Sequence, residues 1–328
     1  MKIDVFSHFL PKKYIEAVSK KVDPKAMNIL SQSPPLSQID VRLRIMDMYP
    51  DVTQVLTVAT LPMNITLEAL VTPSDAVELA KIANDEMAEV VAKYPNRFIA
   101  AVACLPLNDI DASIKEADRA ISKLHFKGVQ IFSNINGEPL DSLKFMPLYE
   151  RMAQHDLPIW IHPWGKVQPA SGNLVDNPVM GLGWPFETTM AMGCLAQSGV
   201  FEKYPNIKFI THHCGGMIPF FAKRIAMSGW ARGMLGEQRT RIVANFHKFY
   251  ADTAVYGNSS ALMCGYAYFG ADHMVFGTDT PLGGNADSSG AYRCTLETIR
   301  SVEQMDVPVM DKDKIFEGNA VRLLRLAP

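Results

Sequence analysis

A chain of 328 residues, 48% hydrophobic and 20% charged, has the composition of a globular protein that buries a large core, which excludes disorder. Its net charge of −2 comes from 32 basic and 34 acidic residues scattered along the chain, so no basic stripe is offered to nucleic acid. No run approaches the roughly 20 apolar residues that cross a bilayer, MKIDVFSHF lacks a signal-peptide pattern, and five widely spaced cysteines read as reduced thiols: a cytoplasmic protein with small-molecule partners is expected.

Short β-rich apolar runs alternate with amphipathic helical stretches, the pattern of a parallel sheet covered by crossover helices. Eight strands are predicted, at residues 2–6, 53–59, 98–104, 128–132, 158–161, 208–211, 248–251 and 274–277. Eight in series predict an α/β (β/α)8 TIM barrel, one domain over residues 1–328, with a helical insertion after strand one at about residues 10–37. Thr72 followed by Pro73 predicts a capped helix burying Ala76, Ala80, Ala83, Met87 and Val90, and Asp109 and Asp141 open similar segments. A second long loop, about 166–183, follows strand five. In a barrel the ligand site lies at the C-terminal ends of the strands, among such loops.

Three of the eight histidines stand at strand ends: His8 in D-V-F-S-H, His162 in P-I-W-I-H-P-W and His213 in F-I-T-H-H-C-G-G. Strand eight runs into G-T-D-T-P, which brings Asp279 to the same rim. Each histidine alone reads equally as a hydrogen-bonded core or loop residue; together with Asp279 they predict one catalytic divalent metal ion, zinc first and manganese second. Trp164, Trp184, Phe186 and Phe6 either enclose a planar substrate or are core. Asp252 either orients a histidine from behind or caps a helix. Cys214 has no activating partner in the sequence, and His125, His155, His247 and His273 lie where no chemistry is expected.

The blocks I-D-V-F-S-H-F-L-P, P-I-W-I-H-P, S-G-V-F-E-K-Y-P-N-I-K-F-I-T-H-H-C-G-G, V-F-G-T-D-T-P and G-N-A-V-R-L-L occur in this order. With them the chain resembles, over essentially its whole length, the mononuclear branch of the amidohydrolase superfamily that contains aminocarboxymuconate-semialdehyde decarboxylase and γ-resorcylate decarboxylase. The resemblance implies His8, His162 and Asp279 as metal ligands and His213 as the catalytic histidine. It also implies Arg42, or Arg44 beside it, against a substrate carboxylate, although a solvated helix arginine fits the same position. A homodimer is a further implication. The chain departs from the family at Phe6, where strand one usually carries the first donor of His-x-His or Glu-x-His. Strand four, G-V-Q-I-F-S-N, holds no bridging lysine, since Lys127 precedes it, so a second metal is not expected.

The implied activity is non-oxidative decarboxylation of an aromatic or unsaturated carboxylic acid. Asp279 would protonate the carbon in one route, and His213 would deprotonate an activated water in another. A hydrolase or hydratase on the same barrel is the nearest alternative, because fold does not fix reaction. A metal-free binding protein, suggested by Phe6, is the alternative of another class.

Overall fold

The computed structural model describes residues 1–22, 34–59, 71–164, 179–228, 236–282 and 293–326. Strands β1 (Lys2–Phe9), β2 (Val52–Val58) and β3 (Phe98–Ala101) pair in parallel, and β4 (Val129–Phe132) begins a second parallel group. A small antiparallel hairpin that the sequence pattern did not reveal, β5 (Asn134–Ile135) and β6 (Glu138–Pro139), leaves the end of β4. The second group continues through β7 (Ile159–His162), β8 (Phe209–Thr211) and β9 (Tyr250–Ala251).

Backbone hydrogen bonds close both seams. Between the groups, Ala103 N donates to Gly128 O and Gln130 N to Ala103 O, each at 2.9 Å. The predicted eighth strand is an extended segment with isolated bridges: Val275 N donates to Ala251 O and Val5 N to Phe276 O, each at 2.9 Å, and His8 N to Thr280 O at 2.7 Å. The result is the expected (β/α)8 barrel. Strands one, three and seven differ from expectation in length: β1 runs on to Phe9, so that His8 lies inside it, β3 stops at Ala101 rather than at 104, and β9 keeps only two residues.

The helices follow α1 (Lys12–Ser19), α2 (Ile39–Met46), α3 (Pro73–Lys93), α4 (Ile110–Lys123), α5 (Met146–His155), α6 (Trp184–Gln197), α7 (Ile218–Ser228), α8 (Gly236–Phe246), α9 (Ser259–Phe269) and α10 (Arg293–Glu303). Thr72 Oγ1 accepts from Asp75 N at 3.2 Å and Asp109 Oδ1 from Ala112 N at 2.9 Å, so α3 and α4 start where their caps predict. The segment expected at Asp141 starts later. Ser142 caps a 3₁₀ turn over Leu143–Phe145, and the α-helix opens only at Met146, with Pro147 in its first turn. Of the insertion after strand one, α1 and a helical turn at Pro34–Ser37 are described while residues 23–33 lie outside the described residues, as does the loop over 165–178.

Two apolar layers result. The larger lies between strands and helices, and a smaller one fills the barrel with Val5, Phe6, Val55, Trp160, Ile210 and Val275 among others. The register of β1 against β2 steps from Asp4↔Gln54 to Ser7↔Leu56, three residues against two. This β-bulge, between Asp4 and Ser7, shifts the phase of the strand, so the adjacent residues Val5 and Phe6 within it both join Ile3 in the inner layer. Trp160 fixes that layer from the opposite side of the ring, its indole N–H donating to Val5 O at 2.9 Å. Trp160→Ala should therefore remove about 3–5 kcal/mol of stability, read as a lower urea midpoint.

Candidate metal centre

Inside the barrel, side chains follow the two-residue period of the strands. Phe6, Trp160, Ile210 and Tyr250 form part of the inner apolar layer, and two residues beyond each of them stand His8, His162, His212 and Asp252. A polar tier thus lies directly above an apolar floor. Asp279, just past the eighth segment, completes the tier, and all five of its members are buried.

Ring nitrogens of His8, His162 and His212 lie within 4.8 Å of one another, and a second such group comprises His212, His213 and a carboxylate oxygen of Asp279. Asp279 Oδ1 is 3.0 Å from His8 Nε2 and 3.2 Å from His212 Nε2. Those contacts have ion-pair distances but not hydrogen-bond alignment, and all three atoms lack a directed hydrogen-bond partner among the described residues. The other ring nitrogens point away from the centre. His8 Nδ1 shares a hydrogen bond with Thr57 Oγ1 at 3.2 Å, His162 Nδ1 donates to Pro163 O at 2.8 Å, and His212 Nδ1 meets Asp252 Oδ2. Imidazoles fixed from behind, with free Nε2 atoms converging beside a buried carboxylate, are the donor arrangement a borderline divalent cation requires. The residues present therefore fit the metal that the sequence implies.

The electrostatics follow from burial and from two carboxylates. Burial holds the pKa values of His8 and His162 below the ordinary 6.5, so both are neutral. Burial and then the charge of His212 do the same to His213. Burial would also lower His212, but Asp252 and Asp279 on either side outweigh it and raise its pKa to about 10. Burial alone would raise Asp279; the neighbouring His212 and His8 instead hold it well below the usual carboxylate range. Burial pushes the Cys214 thiol up, away from any nucleophilic role.

The backbone here is strained. His213 and Cys214 both have φ 54°, Asp279 has φ 62° and Tyr256 φ 49°, a conformation costing side chains of this kind on the order of 1–3 kcal/mol each. Gly215 and Gly216 continue the run with φ 73° and 61°. A Cβ on Gly216 would come within 2.4 Å of Pro185 O, so the C-G-G turn that carries His213 requires glycine there.

The sequence-predicted residues separate into two sets. His8 and His162 stand in one buried group with His212, and His213 and Asp279 in the other, the two joined by His212 and by Asp279 Oδ1 3.0 Å from His8 Nε2. Trp164 and Trp184 join the rim of this centre: Trp184 is 5.9 Å from the His162 ring and 6.2 Å from that of His213, and Trp164 is 5.7 Å from Phe132, itself 6.3 Å from His162. Arg42, Phe6 and Phe186 do not serve as expected. Arg42 is 2% exposed, its guanidinium bonded to His8 O, Ser7 Oγ and, at 2.8 Å, Gln54 Oε1, so it braces β1 from outside the ring. Phe6 is fully buried under the histidines, stacked on His212 at 3.9 Å. Phe186 is 43% exposed and lines an outer groove with residues of α6, α7 and α8. Asp252 is no helix cap: its Oδ1 accepts from Cys214 N at 3.1 Å and Ala254 N at 3.0 Å, while Asn258 caps α9.

Two residues escaped the sequence reading. His212 was passed over for its neighbour, although Ile210 is a core residue and the period of two assigns 212 to the same side. Tyr256 donates its hydroxyl to Asp279 Oδ2 at 2.6 Å while remaining 46% exposed, and no periodic signal marks it.

The family model described as Amidohydrolase matches residues 3–326. The chain belongs to this family. It is 31% identical over 291 residues to 2-amino-3-carboxymuconate-6-semialdehyde decarboxylase of Dictyostelium discoideum, covering 88% of this chain and 77% of that one. It is 30% identical over 304 residues to γ-resorcylate decarboxylase of Polaromonas sp. strain JS666, covering 88% and 87%. A solved structure of dihydroxybenzoic acid decarboxylase from Polaromonas sp. JS666, with bound manganese and the inhibitor 2-nitroresorcinol, superposes with a TM-score of 0.75 at 25% identity, covering 99% of this chain and 97% of that one. Among the described residues no helix is long and apolar enough to cross a membrane.

Two measurements test these assignments. Arg42→Ala should lower stability by about 1–3 kcal/mol for each buried acceptor it abandons, with KM of the folded fraction unchanged; an arginine binding substrate would raise KM. In metal-free protein, His8, His162 and His213 titrate below 6.5 when folded, so the unfolded chain binds more protons and stability falls as pH drops below 6.5. The contribution of His212 has the opposite sign: it is present below 6.5 and lost as pH rises towards 10. In thermal unfolding in chelator, His212→Ala should therefore make the loss of stability between pH 6.5 and 10 shallower.

Proposed function

We propose that the protein is a metal-dependent, non-oxidative decarboxylase of an aromatic carboxylic acid bearing an oxygen next to the carboxylate. One observation carries the reading: buried ring nitrogens of His8, His162 and His212 cluster within 4.8 Å, with Asp279 Oδ1 3.0 Å from His8 Nε2 and 3.2 Å from His212 Nε2, beneath an aromatic rim and in a family whose similar members are named for this reaction. His8, His162 and Asp279 would hold one divalent cation. Zinc suits these nitrogen-rich donors, and manganese is the second choice. Bound there, the cation would supply a Lewis acid that orients the substrate carboxylate and its neighbouring oxygen.

The chain's own residues account for the rest. The faces of Trp164 and Trp184 take up the planar ring, excluding water from it. Decarboxylation replaces CO2 by a proton on the same carbon, and the electron pair of the broken C–C bond forms the new C–H bond. Asp279 passes on the proton in this reading, but because His212 and His8 hold the resting carboxylate ionised it must first take that proton up from solvent on the half-exposed side where the Tyr256 hydroxyl lies 2.6 Å away. His213, held neutral beside Trp184, is the group that would take a proton from water in the alternative route. The same reading carries a cytoplasmic homodimer, with the exposed Phe220, Phe221 and Met227 of α7 as an apolar face for a second copy.

A panel of ortho-hydroxybenzoates, including 2,6-dihydroxybenzoate, should release one CO2 per acid consumed, in the presence of zinc or manganese and not of chelator. Asp279→Asn should lower kcat/KM by about 10²-fold or more. Lactone opening or alkene hydration by the same preparation, with no CO2 from any acid, would replace this function by a hydrolase or hydratase.

A further inference from the structure

The donor missing from strand one raises a question that the geometry of β8 answers. We propose that His212 substitutes for the donor absent at Phe6, so that the cation's protein ligands are His8, His162, His212 and Asp279. The inference rests on the metal-dependent reading above and adds a ligand to it.

Three independent features point to His212. Its ring nitrogen shares with those of His8 and His162 a cluster within 4.8 Å, and its Nε2 is a buried atom with no directed hydrogen bond among the described residues, 3.2 Å from Asp279 Oδ1. Its Nδ1 is held by Asp252, whose other oxygen is fixed by Cys214 N and Ala254 N; a carboxylate behind an imidazole sets the tautomer and the aim of a ligating histidine. The Phe6 ring lies against it, centroids 3.9 Å apart and planes 16° apart. The residue that removes a donor from β1 is thus the surface on which the new donor rests. Gly277 leaves the room required, since a Cβ there would fall 3.0 Å from Asp252 Cβ and 3.2 Å from Phe6 Cβ.

His213 offers the contrast. Its Nδ1 has no hydrogen-bond partner among the described residues and its ring lies on Trp184, so nothing fixes it from behind as Asp252 fixes His212. One of the adjacent pair is built as a ligand, and the other is left for substrate.

The test is titration of chelator-stripped protein with Co²⁺, following both affinity and the visible absorption band, which reports the donors around cobalt without any turnover. The wild-type chain should bind one equivalent. His212→Ala should weaken binding by more than the about 10–100-fold typical of losing an outer partner, and should shift the band. His213→Ala should leave affinity and band unchanged. The double variant Phe6→His/His212→Ala, checked for folding by circular dichroism, should regain binding, because a donor returns on the opposite strand. His212→Ala with wild-type affinity and band overturns the inference, as does a folded double variant no better than His212→Ala. A wild-type chain that takes up no Co²⁺, Zn²⁺ or Mn²⁺ instead overturns the metal-dependent function itself.

Discussion

The site depends on the two-residue period of a parallel strand closed into a ring. Once Phe6, Trp160, Ile210 and Tyr250 fill the inner layer, the residues two positions on have no direction but inward, above a floor that excludes water. Four strands deliver His8, His162, His212 and Asp252 to one level by this rule alone. The cost is a tier of polar groups with no solvent. It is met by pairing each imidazole outward through Nδ1 and by setting two carboxylates against His212.

That constraint explains what was legible in the sequence. The first seven apolar runs and the caps at Thr72 and Asp109 follow from local pattern, and the structure reproduces them; strand order also assigns His8, His162 and Asp279 to one rim, where His8 and His162 group with His212, and Asp279 with His212 and His213. Arg42 was misread because an arginine on a short helix usually faces water, whereas here the strand-one backbone and Ser7 receive its guanidinium. Those partners are more than thirty positions away, beyond the reach of helical periodicity. Phe186 was misread for a related reason: proximity to Trp184 in sequence says nothing about the face of α6 on which it stands. With the C-G-G turn as landmark only His213 of the H-H pair stands out; the strand's parity brings His212 into the same buried cluster beside it.

Strain and order are distributed unevenly around the centre. The floor beneath it is made of large, fully buried side chains, whereas His213, Cys214, Tyr256 and Asp279 all sit at positive φ along its upper edge. A rigid base and a forced rim are consistent with a site whose deeper groups bind and whose upper groups meet substrate.

The stack of Phe6 on His212 also constrains the order of substitutions through which such a site can arise. A histidine acquired first at position 212, while strand one still carried its donor, adds a surplus imidazole and keeps the cation throughout. The reverse order passes through a chain with an aromatic ring at position 6, no imidazole stacked against it and one donor fewer for a cation. Only the first path keeps a full donor set at every step, so relatives that carry histidine at both positions are the intermediates to look for. Chains with Phe6 and no histidine on β8 would be dead ends.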